Sequence, residues 1–387
     1  MWLIFILFTL FYPFLQTQYH PKALLSASLI FLINVSIFIF KKNKRLPTQT
    51  FLNPATVFLL ICILSILFIS PTPGKPALIT AYLCLLGFFI TARIINPKEK
   101  QDLINALLLG SILICFYSII GLAVTSGAKE YYAYMTSAET YFIKDYLSRN
   151  RAFLPFTTPN LLASYLGMIF FISLYNLINN LSNKGFSISR LISIISCLLA
   201  TATLWLTKSI AAFISLLLAL LFFSSMTKKF NKKLLSAAII LLLSVTAIRH
   251  YGSSSELSLS ASVTNRLTYW RETVQIIKEN YLYGIGLGSL KIESAGHSHN
   301  SHLQITAEMG FLGLISWITV ILYFFKIGIR KIKSNLKPRF LLISCGLFFL
   351  VHNLFDFSFY LPPIAFIWWI TLALSTADGQ DNLPELK

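Results

Sequence analysis

Long apolar segments, separated by short polar or basic ones, recur along the chain from end to end. A membrane-spanning α-helix needs about 20 mostly apolar residues, and most of these segments approach that length. We therefore predict an all-α polytopic membrane protein whose single transmembrane domain covers residues 1–387. The first apolar segment lacks the basic start and the small-residue cleavage site of a signal peptide, so we interpret it as a span. The predicted spans, about twelve, lie near 2–15, 22–40, 55–70, 76–95, 103–124, 159–178, 190–207, 209–226, 233–248, 302–325, 340–355 and 361–375.

Two long polar segments, residues 125–158 and 249–301, interrupt this pattern. Loops of this length in a compact fold are usually functional or disordered, and both carry aromatic and charged residues. In the second, apolar residues recur at spacings of three and four, at Leu267, Trp270, Val274 and Ile277. This spacing predicts an amphipathic helix over 264–280 that lies along the membrane surface, with Arg266 beside its apolar stripe.

The basic residues predict the orientation of the chain. Compact basic clusters at 41–45, 96–100, 227–233 and 326–339 all fall on one side of the predicted spans. Since basic loops stay in the cytoplasm, both termini are expected there, and both long loops are expected on the outer side. This distribution also accounts for the net charge of +18 without a nucleic-acid partner.

Cofactor chemistry has little support in the sequence. All five cysteines lie in apolar segments and none forms a C-x-x-C pair, so neither a disulfide framework nor a zinc site is expected. The outer carboxylates are widely spaced, and there is no P-loop. The segment "GIGLGS", with Gly284, Gly286 and Gly288, lacks the strand that precedes a dinucleotide fingerprint. It predicts a tight turn whose backbone approaches an anionic ligand. We expect no metal and no other cofactor.

The segment "GHSHNSHLQ" carries His297, His299 and His302 where a long apolar segment begins. Three interpretations compete: a metal site, a general base, and a polar turn at the membrane interface. The histidine spacing does not match a helical metal-binding pair, and Glu293 is the one outer carboxylate nearby, so metal binding is the least favoured. The near-neutral pKa of imidazole favours a general base.

Basic residues of the outer segments form a second candidate group, which consists of Arg149, Arg151, Lys208, Arg266 and Arg271. Few carboxylates are near enough in the sequence to pair with all of them. Arginine binds phosphate through two parallel hydrogen bonds, so an anionic ligand is one interpretation. The alternative is that these side chains contact lipid headgroups or stay solvated.

One acidic residue, Asp356, lies at the outer end of a predicted span, with His352 one helical turn before it. Ionisable residues at such positions are functional candidates. A pair that only positions a helix at the interface is an equally good interpretation.

Several motifs together resemble those of the O-antigen ligase and polymerase superfamily. Residues 280–318 show its Gly-x-Gly turn, its His-Asn and Leu-Gln pairs, and its Glu-x-Gly followed by another glycine. These are Gly284 and Gly286, His299-Asn300, Leu303-Gln304, and Glu308, Gly310 and Gly313. Less specific similarities are Arg151 before Pro159-Asn160, Arg266 before Trp270, and Asp356 before Pro362. The resemblance covers most of residues 149–375.

The segment "LTKSIAAF" departs from the family pattern, which has Thr-x-Ser-Arg at the mouth of a middle pair of spans. Ile210 stands where that arginine would be, and Lys208 lies two residues earlier. Lysine cannot reproduce the two-point contact of arginine with phosphate, so its equivalence is an open question.

The resemblance implies an all-helical glycosyltransferase of the bacterial inner membrane with its active site on the periplasmic side. It implies a glycan donor on a polyprenyl diphosphate, an acceptor hydroxyl on lipid A–core, and no metal or nucleotide. His299 would be the base, and Arg266, with Lys208 and Arg151, would hold the diphosphate. The other expected site residues are Asn160, Arg271, Asn300 and Gln304 for substrate binding or for orienting His299, and Gly284, Gly286 and Asp356 for support.

Three alternatives remain at this stage: a polymerase, a protein O-glycan transferase using the same donor, and an exporter of lipid-linked glycans. An exporter is expected to line a path through its spans with charges, whereas here the charges avoid the spans. Some polymerases have glycine eleven residues after an outer arginine. No outer arginine of this chain does, which favours the ligase.

Overall fold

Helices make up the regular structure of the described residues, and the predicted all-helical fold is confirmed. The computed structural model describes residues 2–15, 21–41, 53–72, 74–124, 146, 149–181, 187–227, 236, 239–240, 243–244, 259–330 and 338–376. Within these ranges no strand forms; one isolated bridge pairs Ile292 with Ala295. The α-helices are α1 (Trp2–Phe11), α2 (Pro21–Lys41), α3 (Pro54–Phe68), α4 (Lys75–Ile94), α5 (Pro97–Ala123), α6 (Pro159–Asn180), α7 (Ile188–Thr207), α8 (Ile210–Met226), α9 (Leu259–Glu279), α10 (Ser301–Arg330), α11 (Arg339–His352) and α12 (Pro362–Thr376).

Five of the described helices, α4, α5, α6, α7 and α10, are long and apolar enough to cross a bilayer. Most of the others are shorter apolar helices of 10–17 residues, so the chain is a multi-pass membrane protein. Most of the predicted span at 233–248 and most of the predicted loop at 125–158 lie outside the described residues. The count of twelve spans therefore stays a prediction.

Several helices begin at a capping residue followed by proline. Asn53 accepts a hydrogen bond from the Ala55 amide, and Thr158 accepts one from the Leu161 amide. Asn96 forms a reciprocal capping box with Glu99. Proline at the first helical position has no amide hydrogen to leave unpaired, so this combination defines where α3, α5 and α6 start.

The centre of the molecule is α12, which is buried on every side. Trp368 stacks on Phe349 of α11, and Trp369 packs against Phe58 of α3 and Phe89 of α4. A helix that is apolar all round is stable only when other helices surround it. The connection between α11 and α12, residues 353–361, carries Asp356.

The amphipathic helix is confirmed as α9, but its faces differ from the predicted stripe. Ile277 of the predicted stripe packs on a small apolar cluster with Leu290 and Ile292, and Tyr269 and Ile276 join it there. Leu267 and Val274 of the stripe are exposed. Sequence spacing alone groups apolar residues on one face and cannot tell a protein-facing side from an outward-facing one.

Candidate active site

A break in α10 anchors the segment that precedes the site. Gly310 has φ 61° and ψ −158° inside the helix, so helical hydrogen bonds are interrupted there. The amides of Ile285 and Gly286 donate to the carbonyls of Ala307 (3.1 Å) and Glu308 (2.8 Å), and the Phe311 amide donates to the Tyr281 carbonyl (2.8 Å). Buried backbone groups need partners, and the segment supplies those that the break leaves unpaired. Residues 281–286 are thereby attached to α10.

The predicted tight turn is present, and its amides meet a carboxyl group of the protein itself. Gly286 has φ 93°, and a Cβ there would lie 2.4 Å from the Ser70 Cα, so only glycine is accommodated. The amides of Gly288 and Leu290 donate to the buried Glu308 carboxyl at 2.9 and 3.0 Å. Those two amides are therefore already satisfied by a protein carboxyl group.

Asn300 caps α10 and so connects the histidine segment to that helix. Its Oδ1 accepts from the amides of His302 and Leu303, both at 3.1 Å. The amide of Ser301 then donates to the carbonyls of Asn353 (2.9 Å) and Asp356 (3.1 Å) in the α11–α12 connection. These contacts bring the histidine segment and Asp356 together.

His302 has both ring nitrogens occupied. Nδ1 accepts from the Trp317 indole at 2.9 Å, so Nε2 carries the proton and faces the Leu350 carbonyl at 3.0 Å. A second ring proton, on Nδ1, would oppose the indole N–H. His302 therefore supports the helix packing and is a poor candidate for a base.

His297 stacks on Phe357, with ring centroids 4.2 Å apart and planes at 16°. Its Nδ1 lies 3.4 Å from the side-chain nitrogen Nε2 of Gln304. The same Nε2 donates to the Glu308 carboxyl at 3.2 Å. Burial lowers the pKa of His297 to about 4. Gln304 thus bridges the histidine segment and Glu308 from inside α10.

His299 differs from its neighbours in backbone and in exposure. Its φ is 50°, a left-handed value that is uncommon for a residue other than glycine and is often found at functional sites. The ring stacks near Tyr269 at 5.5 Å and meets the edge of Phe357 at 5.1 Å. The side chain is 30% exposed, while Nδ1 is buried without a partner. The exposed edge is therefore the one that carries Nε2.

Asp356 is buried beside His299, with Oδ1 3.9 Å from Nδ1 of that ring. Its Oδ2 is 3.8 Å from Nδ1 of His352. Burial raises the pKa of Asp356 to about 7, against the opposing effects of the Phe357 amide and Arg266. Both the neutral and the ionised form of the carboxyl group are then accessible near neutral pH.

Burial also sets the charge states of the neighbouring groups. It lowers the pKa of His299 to about 3, and the positive charge of Arg266 and then His297 add to this effect. Because the ring keeps 30% exposure, water moderates this effect. Burial lowers the pKa of Arg266 as well, while Asp356 opposes that shift. The arrangement holds a neutral imidazole between a guanidinium and a carboxyl group.

The Arg266 guanidinium is held by α9 and by the α11–α12 connection. Nε donates to the Phe355 carbonyl at 3.2 Å, and Nη1 donates to the Ser262 hydroxyl at 2.8 Å. Asp356 follows Phe355 directly, so the arginine is brought to the same place as His299. Arg271, five residues later on α9, is exposed and lies on a different side of the helix.

A second basic group lies at the end of α7. Lys208 has φ 51°, and its Nζ donates to the Arg149 carbonyl. Arg151 is buried, donates from Nε to the Thr207 carbonyl at 2.9 Å, and lies over the Tyr146 ring. Burial lowers the pKa of Lys208, and the charge of Arg151 adds to the effect.

The first turns of α6 connect the two groups. Asn160 accepts from the Ser209 hydroxyl at 2.9 Å, next to Lys208. One turn later, Ser164 donates to the Ser358 hydroxyl at 2.9 Å, two residues after Asp356. Residues four apart on a helix are about 6 Å apart, so both groups lie at the same end of the helical bundle.

The structure adds two residues that the sequence analysis did not assign to the site. Tyr269 stacks near His299, and nothing in the sequence distinguishes it from other residues of α9. His352 was visible as the residue one turn before Asp356, but its contact depends on where α11 ends. Across the part of the chain that is described, no three His, Cys, Asp or Glu side chains come together as a metal site would require.

Part of the candidate site lies in a segment that matches a known protein family. The O-antigen ligase family matches residues 195–318, which include Lys208, Arg266 and His299. A protein of Rickettsia conorii (strain ATCC VR-613 / Malish 7), provisionally named a polysaccharide ligase, is 26% identical over 136 residues. This match covers 31% of the present chain and 31% of that protein, so the chain matches about a third of its relative's length. The match of residues 195–318 to the O-antigen ligase family supports the resemblance seen in the motifs of the chain.

Proposed function

We propose that the protein is an O-antigen ligase-type glycosyltransferase that moves a glycan from a polyprenyl diphosphate to a hydroxyl of lipid A–core at the periplasmic face of the bacterial inner membrane. The observation that carries this proposal is the partly exposed ring of His299 between Asp356 and Arg266, within the segment that matches the family. A base and a cation so placed are suited to activating a hydroxyl beside an anionic leaving group.

The proposed step is a single displacement with His299 as the base. Nε2 of His299 accepts the proton of the acceptor hydroxyl while the oxygen of that hydroxyl forms a bond to the anomeric carbon of the glycan. The bond from that carbon to the diphosphate oxygen breaks, and its electron pair leaves with the diphosphate. Ionised Asp356 offsets the charge of the imidazolium through Nδ1. The 3.9 Å separation shortens when substrate closes the site, since catalytic hydrogen bonds are often long in its absence.

Positive charge for the diphosphate comes from Arg266, with Lys208 and Arg151 at the same end of the bundle. A hydrogen-bond donor that points at a leaving group meets negative charge that develops only as the bond breaks. It therefore stabilises the transition state more than the ground state. Nη2 of Arg266 makes no hydrogen bond with any described residue, so it is available for a phosphate oxygen. Asn160, Asn300 and Gln304 act in this proposal by holding the basic and histidine segments in place.

A cavity of about 330 Å³ supports the assignment of a prenyl lipid as the donor. It lies between α6, α7 and α8, several of its lining residues are within two turns of Lys208, and they include the exposed Ala202. The residues that line it include Phe170, Leu204, Trp205, Phe213 and Leu216. An apolar cavity just below a cation matches a molecule whose hydrocarbon chain begins at a diphosphate.

The proposal is tested by transfer of radiolabelled glycan from its lipid carrier in membranes that contain each variant. His299→Ala should lose on the order of 10²–10⁴-fold in rate, as expected for a missing general base. His297→Phe keeps the stacking on Phe357 and should stay close to wild type. Wild-type transfer by His299→Ala would refute the role of the base. Equal loss for both variants, with rescue by zinc, would support a metal site.

The acceptor is tested by the glycans of a strain that lacks the gene. A ligase predicts that long glycan accumulates on its carrier and is absent from lipid A–core. A polymerase, the closest alternative, predicts single repeat units on the core. A protein O-glycan transferase predicts unchanged lipopolysaccharide and loss of glycan from proteins.

A further inference from the structure

Asp356 lies between two histidines, and no hydrogen bond joins the three residues. Nδ1 of His299 is 3.9 Å from Oδ1, and Nδ1 of His352 is 3.8 Å from Oδ2. Nδ1 of each histidine and Oδ2 of Asp356 are buried without a hydrogen-bond partner. Unpaired buried polar groups are unfavourable, and here each can be paired by a small movement towards the others.

His352 is confined to this position. It is the last residue of α11, its side chain is 0% exposed, and its ring stacks on Phe348 at 5.8 Å. The ring therefore cannot turn to water for a partner. The Asp356 carboxyl group is the polar group that faces its Nδ1.

We propose that His352 is a positioning residue of the transferase: its Nδ1–H holds Oδ2 of Asp356, so that Oδ1 faces Nδ1–H of His299. This inference rests on the proposed function. With the proton of His299 kept on Nδ1, the lone pair of Nε2 is available at the exposed edge of the ring. His352 touches no substrate and acts through Asp356.

The groups that face Asp356 come from three elements. Within the described residues, the titratable or charged ones are His299 before α10, His352 on α11 and Arg266 on α9. Each N–H that donates to the carboxyl group favours its ionised form. Loss of the donor on His352 should therefore raise the pKa of Asp356, a change that loss of packing alone would not produce.

Three substitutions separate the donor from the ring. His352→Phe keeps the stacking on Phe348 and removes the N–H. His352→Asn restores a donor near the position of Nδ1, and His352→Gln places one near Nε2, away from Asp356. In His352→Phe and His352→Gln, we expect the acidic limb of the pH profile of kcat to move upward by about one to two pH units. His352→Asn should keep the acidic limb near its wild-type position. KM for the donor lipid should be unchanged in all three variants.

An infrared difference titration of the purified protein in detergent gives a readout that does not depend on transfer. The carboxyl band of Asp356 is identified by its loss in Asp356→Asn, and its pKa should rise in His352→Phe and not in His352→Asn. The same titration in wild type and His352→Phe would overturn the proposal. So would a lower kcat in all three variants with an unmoved acidic limb, which indicates packing alone. If His299→Ala transfers normally, the proposed base fails, and the titration still decides whether His352 holds Asp356.

Discussion

At the scale of single residues, burial acts on the acid and the base of the site in opposite directions. It raises the pKa of Asp356 to about 7 and lowers the pKa of His299 to about 3, because the charged form of each group is poorly solvated. Both therefore stay neutral more readily than free side chains. An ionised Asp356 beside a protonated His299 is therefore a pair in which each charge stabilises the other.

These shifts predict the pH dependence of transfer. Asp356 supports the imidazolium only when ionised, so the rate should fall as the pH drops through about 7. His299 is already neutral across that range, so its own titration should not contribute. Asp356→Asn should lower the rate on the order of 10²–10⁴-fold and remove the acidic limb. An unchanged limb in initial rates between pH 5 and pH 9 would contradict this assignment.

The guanidinium of Arg266 should not be replaceable by an ammonium group. Arg266→Lys keeps a charge and loses the planar donors that contact Phe355 and a phosphate together. We expect it to fail nearly as badly as Arg266→Ala, which should lose about 10²–10³-fold in rate. Lys278→Ala removes an exposed charge from the same helix and should transfer normally. Wild-type rates for Arg266→Ala would make this arginine a headgroup contact.

At the scale of elements, sequence patterns predicted helices well and their surroundings less well. The spacing in residues 264–280 predicted α9, but which side faces the protein depends on Leu290 and Ile292, which follow it in irregular structure. The glycine turn and the start of α10 were also visible as motifs. The break at Gly310 was not, because glycine within an apolar segment is common and only the docked residues 281–286 make the break stable.

The contacts around Asp356 show the same limit. The spacing between His352 and Asp356, one helical turn, can be seen in the sequence. Their approach to His299 cannot, because it requires α10, α11 and α12 to meet at one end. Likewise, Asn300 was expected to orient the histidine, and the structure shows the physical means: it caps the helix that begins beside His299.

The cavity beside α7 yields a prediction about the donor chain. Ala202→Trp should fill part of this cavity and raise KM roughly tenfold for a long prenyl donor, because the added ring takes space that the lipid chain would occupy. A donor with a very short prenyl chain should be used as well as by wild type. Leu191→Trp adds the same ring to an exposed position about 16 Å away on α7 and serves as control. Equal effects on both donors would remove the cavity from the donor site.

At the scale of the whole molecule, the chemistry is expected to need no metal. Charge for the leaving diphosphate is supplied by the basic side chains at the site end of the bundle, and hard cations prefer clustered carboxylates. Transfer in washed membranes should therefore persist with EDTA at a concentration that inactivates a magnesium-dependent enzyme added as control. Inactivation that magnesium or manganese reverses would contradict this expectation.

The attachment of residues 281–286 to the break in α10 has a consequence for the depth of the active site in the bilayer. Backbone groups of Tyr281, Ile285 and Gly286 hydrogen-bond the segment to α10, a helix long and apolar enough to cross a bilayer. The height of His299 is thus set by the protein. Bilayers of different thickness would change the tilt of α10 and the exposure of its far end, while the distance between His299 and Asp356 stays the same.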